Sequence, residues 1–334
     1  MSKLFYITTK TPLRVSFFGG GTDISYFYKK KSGKVISSTI NRFVYVTVKS
    51  YHSLFNEKYR LNYSETEHVK KNIDSIKNNI IRECLKFLKI KDSLHISIST
   101  DIPASSGLGT SSAIIVGLLK ALYVYKGIKI NNHELAENAC NIEINLLNNP
   151  IGKQDQYNAV FGGFASYSFL KNDKVVIKKL KNSLAKKIFS QSLFLWVGSF
   201  KDSNKVLSAQ KKVFNTNEKY YSKLLSVANN AEKLNKASPF SINKFGQTLD
   251  KNWAIKKKLS DKISNQKIDK LYTFARKNGM IGGKLLGAGS GGFLFFVFDK
   301  LYKKKLLQAF KNKKVYFFDF YPSGSKVIYK QFYK

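Results

Sequence analysis

Cysteine is nearly absent from this chain: Cys84 and Cys140 are the only two in 334 residues, and neither stands in a CxxC spacing. That excludes a disulfide scaffold. Histidine is as scarce, with His52, His68, His95 and His133 far apart, so no zinc centre is expected. Long apolar runs are missing too. The longest, such as Phe293 to Phe298, fall far below the ~20 residues of a membrane span, and Met1 to Val15 has no apolar signal core. A soluble, cytoplasmic protein is expected. Acidic residues are few, 21 against 58 basic ones, which leaves a formal charge of +37. Arginine is rarer still: Arg14, Arg42, Arg60, Arg82 and Arg276 are the whole set. Nucleic-acid readout favours the arginine fork and a clustered basic face, whereas these lysines are spread along the chain. The charge therefore reads as a solvated lysine surface with no nucleic-acid partner, and as a field that gathers small anions. A basic nucleic-acid-binding protein is the alternative from another class, and steeply salt-dependent binding to arbitrary strands would reveal it.

What is present is ample apolar material. Hydrophobic residues make up 43% and aromatics 14%, with 26 Phe and 19 Tyr, enough for a sizeable core in a chain of two-domain length. Phe43 to Val48 and Leu94 to Ser99 have strand chemistry. The spacing predicts helices over Asn72 to Leu88, from near Ser105, and from Asn132 to Asn148 with Leu135, Ala139, Ile142 and Leu146 on one stripe, stopped by Pro150. A hairpin follows, Phe164 to Phe169 and Lys174 to Leu180, and then a buried strand, Phe194 to Val197. The second half predicts helices over Asn204 to Lys236 and Lys267 to Asn278, and strands at Phe293 to Val297 and Val315 to Phe318. Strands mixed with helices without strict alternation indicate an α+β class. A domain boundary is expected near 185, giving domains 1–185 and 186–334.

Four segments carry chemistry. Asp101-Ile-Pro-Ala-Ser-Ser-Gly-Leu-Gly-Thr-Ser-Ser-Ala113 follows a strand and opens a helix. Its glycines and hydroxyls leave backbone N–H groups free at the positive end of a helix, a phosphate-binding arrangement. It is neither a Walker loop nor a dinucleotide fingerprint. Gly282-Gly-Lys-Leu-Leu-Gly-Ala-Gly-Ser-Gly-Gly-Phe293 has six glycines in eleven residues, and the strand that follows rules out the fingerprint there as well. Close approach to a ligand or to another loop is the reading, beside that of a plain turn. Thr11-Pro-Leu-Arg-Val-Ser-Phe-Phe-Gly-Gly-Gly-Thr-Asp23 ends a strand in three glycines and an acid, where a sugar or other small ligand could rest on backbone and Asp23 could accept from hydroxyls or cap the next turn. Glu143 and, past a Pro-Ile-Gly turn, Asp155 are two separated carboxylates. They suit one metal ligand and one group that orients or deprotonates a hydroxyl.

In this order the segments resemble the GHMP kinase superfamily, which includes galactokinases, homoserine kinases and mevalonate kinases. The stretches LRVSFFGGGTD, INRFVYVTV, SSGLGTSSA, GKQDQYNAVFGGF and GGKLLGAGSGGF look most like its bacterial kinases of D-glycero-D-manno-heptose 7-phosphate. The resemblance implies a two-domain fold, an N-terminal nucleotide domain like that of a small-subunit ribosomal protein and a C-terminal ferredoxin-like domain. It implies ATP- and Mg²⁺-dependent phosphorylation of the anomeric hydroxyl of a sugar phosphate, in the making of nucleotide-activated heptose for surface glycans. A kinase of a neutral sugar such as fucose is the alternative. Ser105, Ser106, Gly107, Leu108, Gly109, Thr110, Ser111 and Ser112 would hold ATP. Ser111 and Glu143 would be the Mg²⁺ ligands. Asp155 matches the acid beside the acceptor hydroxyl, and Arg14 the cation that steadies the transfer. Gly19, Gly20, Gly21, Thr22, Asp23, Gln156, Lys201, Gly287 and Gly289 are the substrate-binding set. Galactokinases have Glu-His where this chain has Gly20 and Gly21, so their sugar contacts do not carry over, and Thr110 stands where many relatives have Ser. A contact to the substrate's phosphate would come from Lys201, with Arg42 and Lys153 as alternatives.

Overall fold

The computed structural model describes residues 4–51, 54–198, 203–235 and 239–332. Twelve strands and eleven α-helices alternate irregularly along these residues. In chain order the strands are β1 (Leu4–Phe18), β2 (Gly33–Ser50), β3 (Tyr59–Asn62), β4 (Thr66–Val69), β5 (Leu94–Thr100), β6 (Phe164–Phe169), β7 (Val175–Lys179), β8 (Ser192–Gly198), β9 (Met280–Leu285), β10 (Gly292–Phe298), β11 (Val315–Tyr316) and β12 (Lys326–Phe332). The helices are α1 (Ser25–Lys31), α2 (Asn79–Phe87), α3 (Thr110–Tyr125), α4 (Asn132–Cys140), α5 (Gln154–Phe161), α6 (Asn182–Ser190), α7 (Ser203–Lys212), α8 (Phe214–Leu234), α9 (Ile242–Lys256), α10 (Gln266–Lys277) and α11 (Lys303–Ala309).

The larger sheet runs β12-β1-β2-β5-β3-β4, with β6 and β7 continuing from the first half of β2. The smaller runs β11-β8-β10-β9. Numbered within itself, the smaller sheet has its fourth, first, third and second strands in that order, the ferredoxin-like arrangement. Residue 185 falls inside α6, where the chain leaves the larger sheet. The chain returns to that sheet in β12, which pairs with β1, so the two sheets do not divide the chain into two contiguous stretches.

Helix α3 is buried nearly all round and lies across β1 and β2. Gly117 makes this possible, because a Cβ there would stand 2.9 Å from Thr11 Oγ1, and Thr9 Oγ1 donates to the Gly117 carbonyl at 3.0 Å. The start of α3 is thereby fixed beside Arg14 on β1, whose N–H donates to the Leu108 carbonyl at 3.0 Å. Phe17, also on β1, has Phe164, Phe189, Phe245 and Phe295 around it at 5.4–6.0 Å. It joins the core of the larger sheet to α9 and β10, so β1 is the common wall of both halves.

Three expected elements differ in their bounds. The helix expected over Asn72 to Leu88 is a 3₁₀ turn, Ile73–Ser75, followed by α2, because Asn72 and Asn78 each cap a separate start by accepting from Asp74 N–H and Ile81 N–H. The helix expected over Asn132 to Asn148 is α4 followed by a π-helical turn, Asn141–Leu146. The wider turn rotates the face presented to the core. Leu135, Ala139 and Ile142 stay buried, while Leu146 is 47% exposed and Glu143 points inward at 1%. The long helix expected from Asn204 is broken into α7 and α8, and the end expected at Lys236 lies outside the described residues. Strand β12 and helix α9 were not anticipated.

Candidate active site

Arg14 is held on three sides. Its Nε and Nη2 donate to Asp155 Oδ1 and Oδ2 at 2.7 and 2.5 Å, a bidentate fork, and its Nη1 donates to the Gly107 carbonyl at 2.6 Å. The guanidinium is buried and the Asp155 side chain one-fifth exposed. Such a fork fixes the carboxylate plane while leaving each oxygen a free lone pair. Gly109 lies against the pair: a Cβ there would stand 3.3 Å from Arg14 Cγ and 3.4 Å from Asp155 Oδ2.

On one side of this pair is a cavity lined by Ser105, Ser106, Gly107, Gly109, Thr110, Ser111, Ser112 and Glu143. Gly107 and Gly109 take positive φ, +81° and +79°, to wrap the loop around the start of α3. The second glycine-rich loop is packed into the first. A Cβ on Gly107 would stand 2.5 Å from the Leu286 carbonyl, one on Gly287 2.6 Å from Gly107 Cα, and one on Gly292 2.3 Å from the Ser106 carbonyl. Close approach to another loop is thus what Gly287 and Gly292 serve, whereas Gly289 packs on the backbone of Ile263. Leu108 turns its side chain into the core and offers only backbone.

Glu143, carried inward by the π turn, accepts from Ser111 Oγ at 2.7 Å, Ser112 Oγ at 2.6 Å and Gln156 Nε2 at 2.7 Å. Burial raises its carboxyl above the ordinary value, Asp155 adds to this, and the serine hydroxyls oppose it. A cation would relieve that cost. The residues fit a phosphate chain with one divalent ion: Ser106 Oγ, in the loop before α3, and Thr110 Oγ1, on the first residue of α3, are buried without a partner among the described residues. Among the described residues no cluster of three His, Cys, Asp or Glu could hold a metal alone. One hydroxyl, one carboxylate and phosphate oxygens are a hard-cation set of the Mg²⁺ kind.

On the other side lies a second cavity, lined by Arg14, Ser16, Gly20, Gly21, Asp23, Gln154, Asp155, Gln210, Lys256 and Lys284 among others. Asp23, 1% exposed, accepts from Gly21 N–H at 2.9 Å, Gln154 N–H at 3.2 Å and Gln154 Nε2 at 3.2 Å, and burial raises its carboxyl. Gly152 is needed beneath it, since a Cβ there would stand 2.0 Å from Asp23 Oδ2. Arg14, Asp155, Ile151, Leu207, Gly287 and Ala288 line both cavities, so the fork stands where the two meet.

Not every expected residue joins this site. Thr22 is fully buried and bonds Gly19 and Lys34 backbone, and Gly19 is packed on the Lys34 carbonyl. Gln156 turns its amide to Glu143 and lines neither cavity. Lys201 lies outside the described residues. Lys153 is engaged by Glu137 at 3.0 Å and sits near Asp173, and Arg42 covers the Phe318 ring at 4.7 Å; neither lines the second cavity. Ser16, Gln154, Gln210, Lys256 and Lys284 were missed. Gln154 adjoins Asp155 and could have been suspected, but Lys256 is one of three consecutive lysines and nothing local distinguishes it.

Known proteins resemble the chain along nearly its whole length. The profile of the GHMP kinases N terminal domain matches residues 78–163, and that of the GHMP kinases C terminal domain residues 231–316. A D-glycero-alpha-D-manno-heptose 7-phosphate kinase of Campylobacter jejuni is 31% identical, over 94% of this chain and 96% of its own. A mevalonate kinase of Saccharolobus solfataricus is 27% identical over 64% of this chain and 65% of its own. Among solved structures, a D-glycero-D-manno-heptose 1-phosphate kinase of Bacteroides thetaiotaomicron superposes with a TM-score of 0.79 at 24% identity, over 97% of this chain and 99% of its own. The Lactococcus lactis galactokinase complexed with galactose gives 0.74 at 17%, over 96% and 95%. These last two likenesses concern the fold.

Proposed function

The chain belongs to the GHMP kinases, and on that premise we propose that it transfers the γ-phosphoryl group of ATP to the anomeric hydroxyl of D-glycero-D-manno-heptose 7-phosphate, giving the 1,7-bisphosphate. The observation that carries the reading is the Arg14–Asp155 fork at the meeting of two cavities, one rich in hydroxyls and backbone N–H groups, the other in buried charge. The 31% identity to a heptose 7-phosphate kinase along nearly the whole chain supports the acceptor.

In this reading the loop from Ser105 to Ser112 holds the triphosphate, and Ser106 and Thr110 use their unpartnered hydroxyls on it. Ser111 and Glu143 would hold Mg²⁺, which when bound neutralises charge on the phosphates. The acceptor hydroxyl meets Asp155, which orients it and receives its proton as the oxygen bonds to the γ-phosphorus and the bond to the β-phosphate bridging oxygen breaks. Because both Asp155 oxygens are fixed by Arg14, the hydroxyl is aimed before reaction begins. Aim and charge stabilisation are what phosphoryl transfer chiefly needs. Arg14 keeps positive charge beside the transferring group.

The test is ATP turnover against heptose 7-phosphate, mannose 6-phosphate, fucose and galactose, with the reducing end of each acceptor assayed before and after. Turnover with heptose 7-phosphate that consumes its reducing end is expected. Turnover with fucose and none with the phosphorylated sugars would replace this acceptor by a neutral one.

A further inference from the structure

Lys256, the last residue of α9, is 6% exposed, and among the described residues its ammonium reaches only the Gly20 carbonyl, at a long 3.4 Å. Among the described residues no carboxylate lies within 4.0 Å of it. Its neighbour in the same cavity, Lys284 on β9, is 2% exposed and donates to the Ser16 and Phe17 carbonyls at 2.8 and 3.1 Å, again with no carboxylate in reach. A buried ammonium without a counter-charge is costly, and two facing one cavity doubly so. The carboxylates that share the cavity are already engaged. Asp155 is taken by Arg14, and Asp23 accepts three bonds from Gly21 and Gln154. Three basic groups, Arg14, Lys256 and Lys284, thus share the cavity with two carboxylates, and burial holds the Lys284 ammonium well below the ordinary lysine value.

Neutral groups complete the site. A point near Gly20, where its Cβ would be, has Ser16 Oγ at 3.2 Å, Gln154 Nε2 at 3.6 Å and Lys256 Nζ at 3.9 Å. Ser16 Oγ is itself buried without a partner. A hydroxyl without a partner and an ammonium with one long bond converge beside backbone that glycine keeps clear. That is a demand for an anion with several acceptor oxygens.

We propose that Lys256, with Ser16 beside it and Lys284 behind, receives the phosphate that the acceptor sugar already carries, and so makes this kinase select phosphorylated sugars. The inference rests on the sugar-phosphate reading of the site and gives it a residue. Burial, opposed by Asp23 and Asp155 and reinforced by Arg14, brings the Lys256 ammonium down to about 8, so its charge is maintained at a cost that the two carboxylates offset in part and a bound anion would offset further.

The test compares the wild-type enzyme with Lys256→Met and Lys256→Gln, using heptose 7-phosphate and the unphosphorylated heptose below saturation, with inorganic phosphate as a competitive probe. Neutralising Lys256 is expected to lower kcat/KM for the phosphorylated acceptor by roughly 10- to 150-fold, the worth of one charge-assisted contact. The loss with the unphosphorylated acceptor is expected to be several-fold smaller and KM for ATP to stay within about twofold, and inhibition by inorganic phosphate against the sugar phosphate should weaken in parallel. Thermal unfolding should not fall, because an unmatched buried charge has been removed. An equal loss with both acceptors, a raised KM for ATP, or a lowered melting temperature would overturn the role of Lys256. A wild-type enzyme indifferent to the acceptor's phosphate would instead overturn the acceptor reading itself.

Discussion

The two cavities that meet at Arg14 and Asp155 are built on opposite plans. The side proposed for the nucleotide draws most of its polar groups from one segment, Ser105 to Ser112, wrapped over the start of α3, and it offers hydroxyls and peptide N–H groups beside Glu143, with Asp155 at the junction. The side proposed for the acceptor takes a few residues each from β1, the loop after it, α5 and α7 and one each from α9 and β9, and most of its polarity is formal charge buried from water. Neutral dipoles in one segment suffice for a polyphosphate, which carries its own counter-ion. A sugar phosphate without a dedicated cation needs fixed charges, which have to be brought from distant elements and held there at a cost in stability.

Several substitutions would break that contrast. The largest effect should come where the two sides join: Asp155→Asn keeps size and a hydrogen bond to Arg14 but loses the proton acceptor, so kcat should fall by ~10² to 10⁴. Calorimetric ATP affinity should be unchanged, and retention of more than about a tenth of kcat would remove Asp155 from the chemistry.

On the nucleotide side, Gly107→Ala sets a Cβ 2.5 Å from the Leu286 carbonyl at φ +81°. Loop separation and left-handed strain should cost about 2 kcal/mol or more of stability and raise KM for ATP, readable by denaturant melts and steady-state kinetics. An unchanged midpoint would mean that the two glycine loops do not pack as described. Glu143→Gln leaves the serine hydroxyls in place but withdraws the carboxylate. The Mg²⁺ concentration for half-maximal rate should rise about tenfold or more, in line with one lost charged contact, and an unmoved midpoint would make Glu143 a structural charge.

The acceptor side has a pH signature of its own. Lys256, with Arg14, Lys284, Asp23 and Asp155 around it, is brought by burial to about 8, below its unfolded value. Its charge in the free enzyme is therefore present below that pH and lost above it. kcat/KM for the phosphorylated acceptor should decline above about pH 8, by at most tenfold per pH unit, and this limb should vanish in Lys256→Met. The same sign governs stability. Between about pH 8 and the unfolded lysine value the unfolded chain binds more protons, so the wild type gains stability as pH rises through that window and Lys256→Met does not. A profile identical in the two proteins would detach the limb from Lys256.

The contrast also decides what could be read without coordinates. The glycines and hydroxyls from Ser105 to Ser112 lie side by side, and local chemistry alone marks them as phosphate-binding. Arg14 came through resemblance and Asp155 first as one of two separated carboxylates, whose place the resemblance then specified, and their fork is a fact of tertiary packing. Ser111 and Glu143 were paired by resemblance as well, but the π turn that swings Glu143 inward and Leu146 out breaks the 3.6-residue period and has no signature in hydrophobic spacing. Lys256 was hidden among three lysines in a chain of 53, because burial of one charge is decided by what packs around α9. Strand β12 escaped for the opposite reason: mostly exposed at the sheet edge, with Val327, Ile328 and Tyr329 in an unbroken run, it lacks the alternation that marks a half-buried strand.

The central claim is that the charged cavity beside Asp155 exists to recognise a phosphate on the acceptor. It is tested most directly by the ratio of wild-type kcat/KM values for heptose 7-phosphate and the unphosphorylated heptose at equal, subsaturating concentrations. A ratio of roughly 10 to 150 in favour of the phosphorylated sugar is the expected result. A ratio near one, or a preference for the neutral sugar, would contradict it.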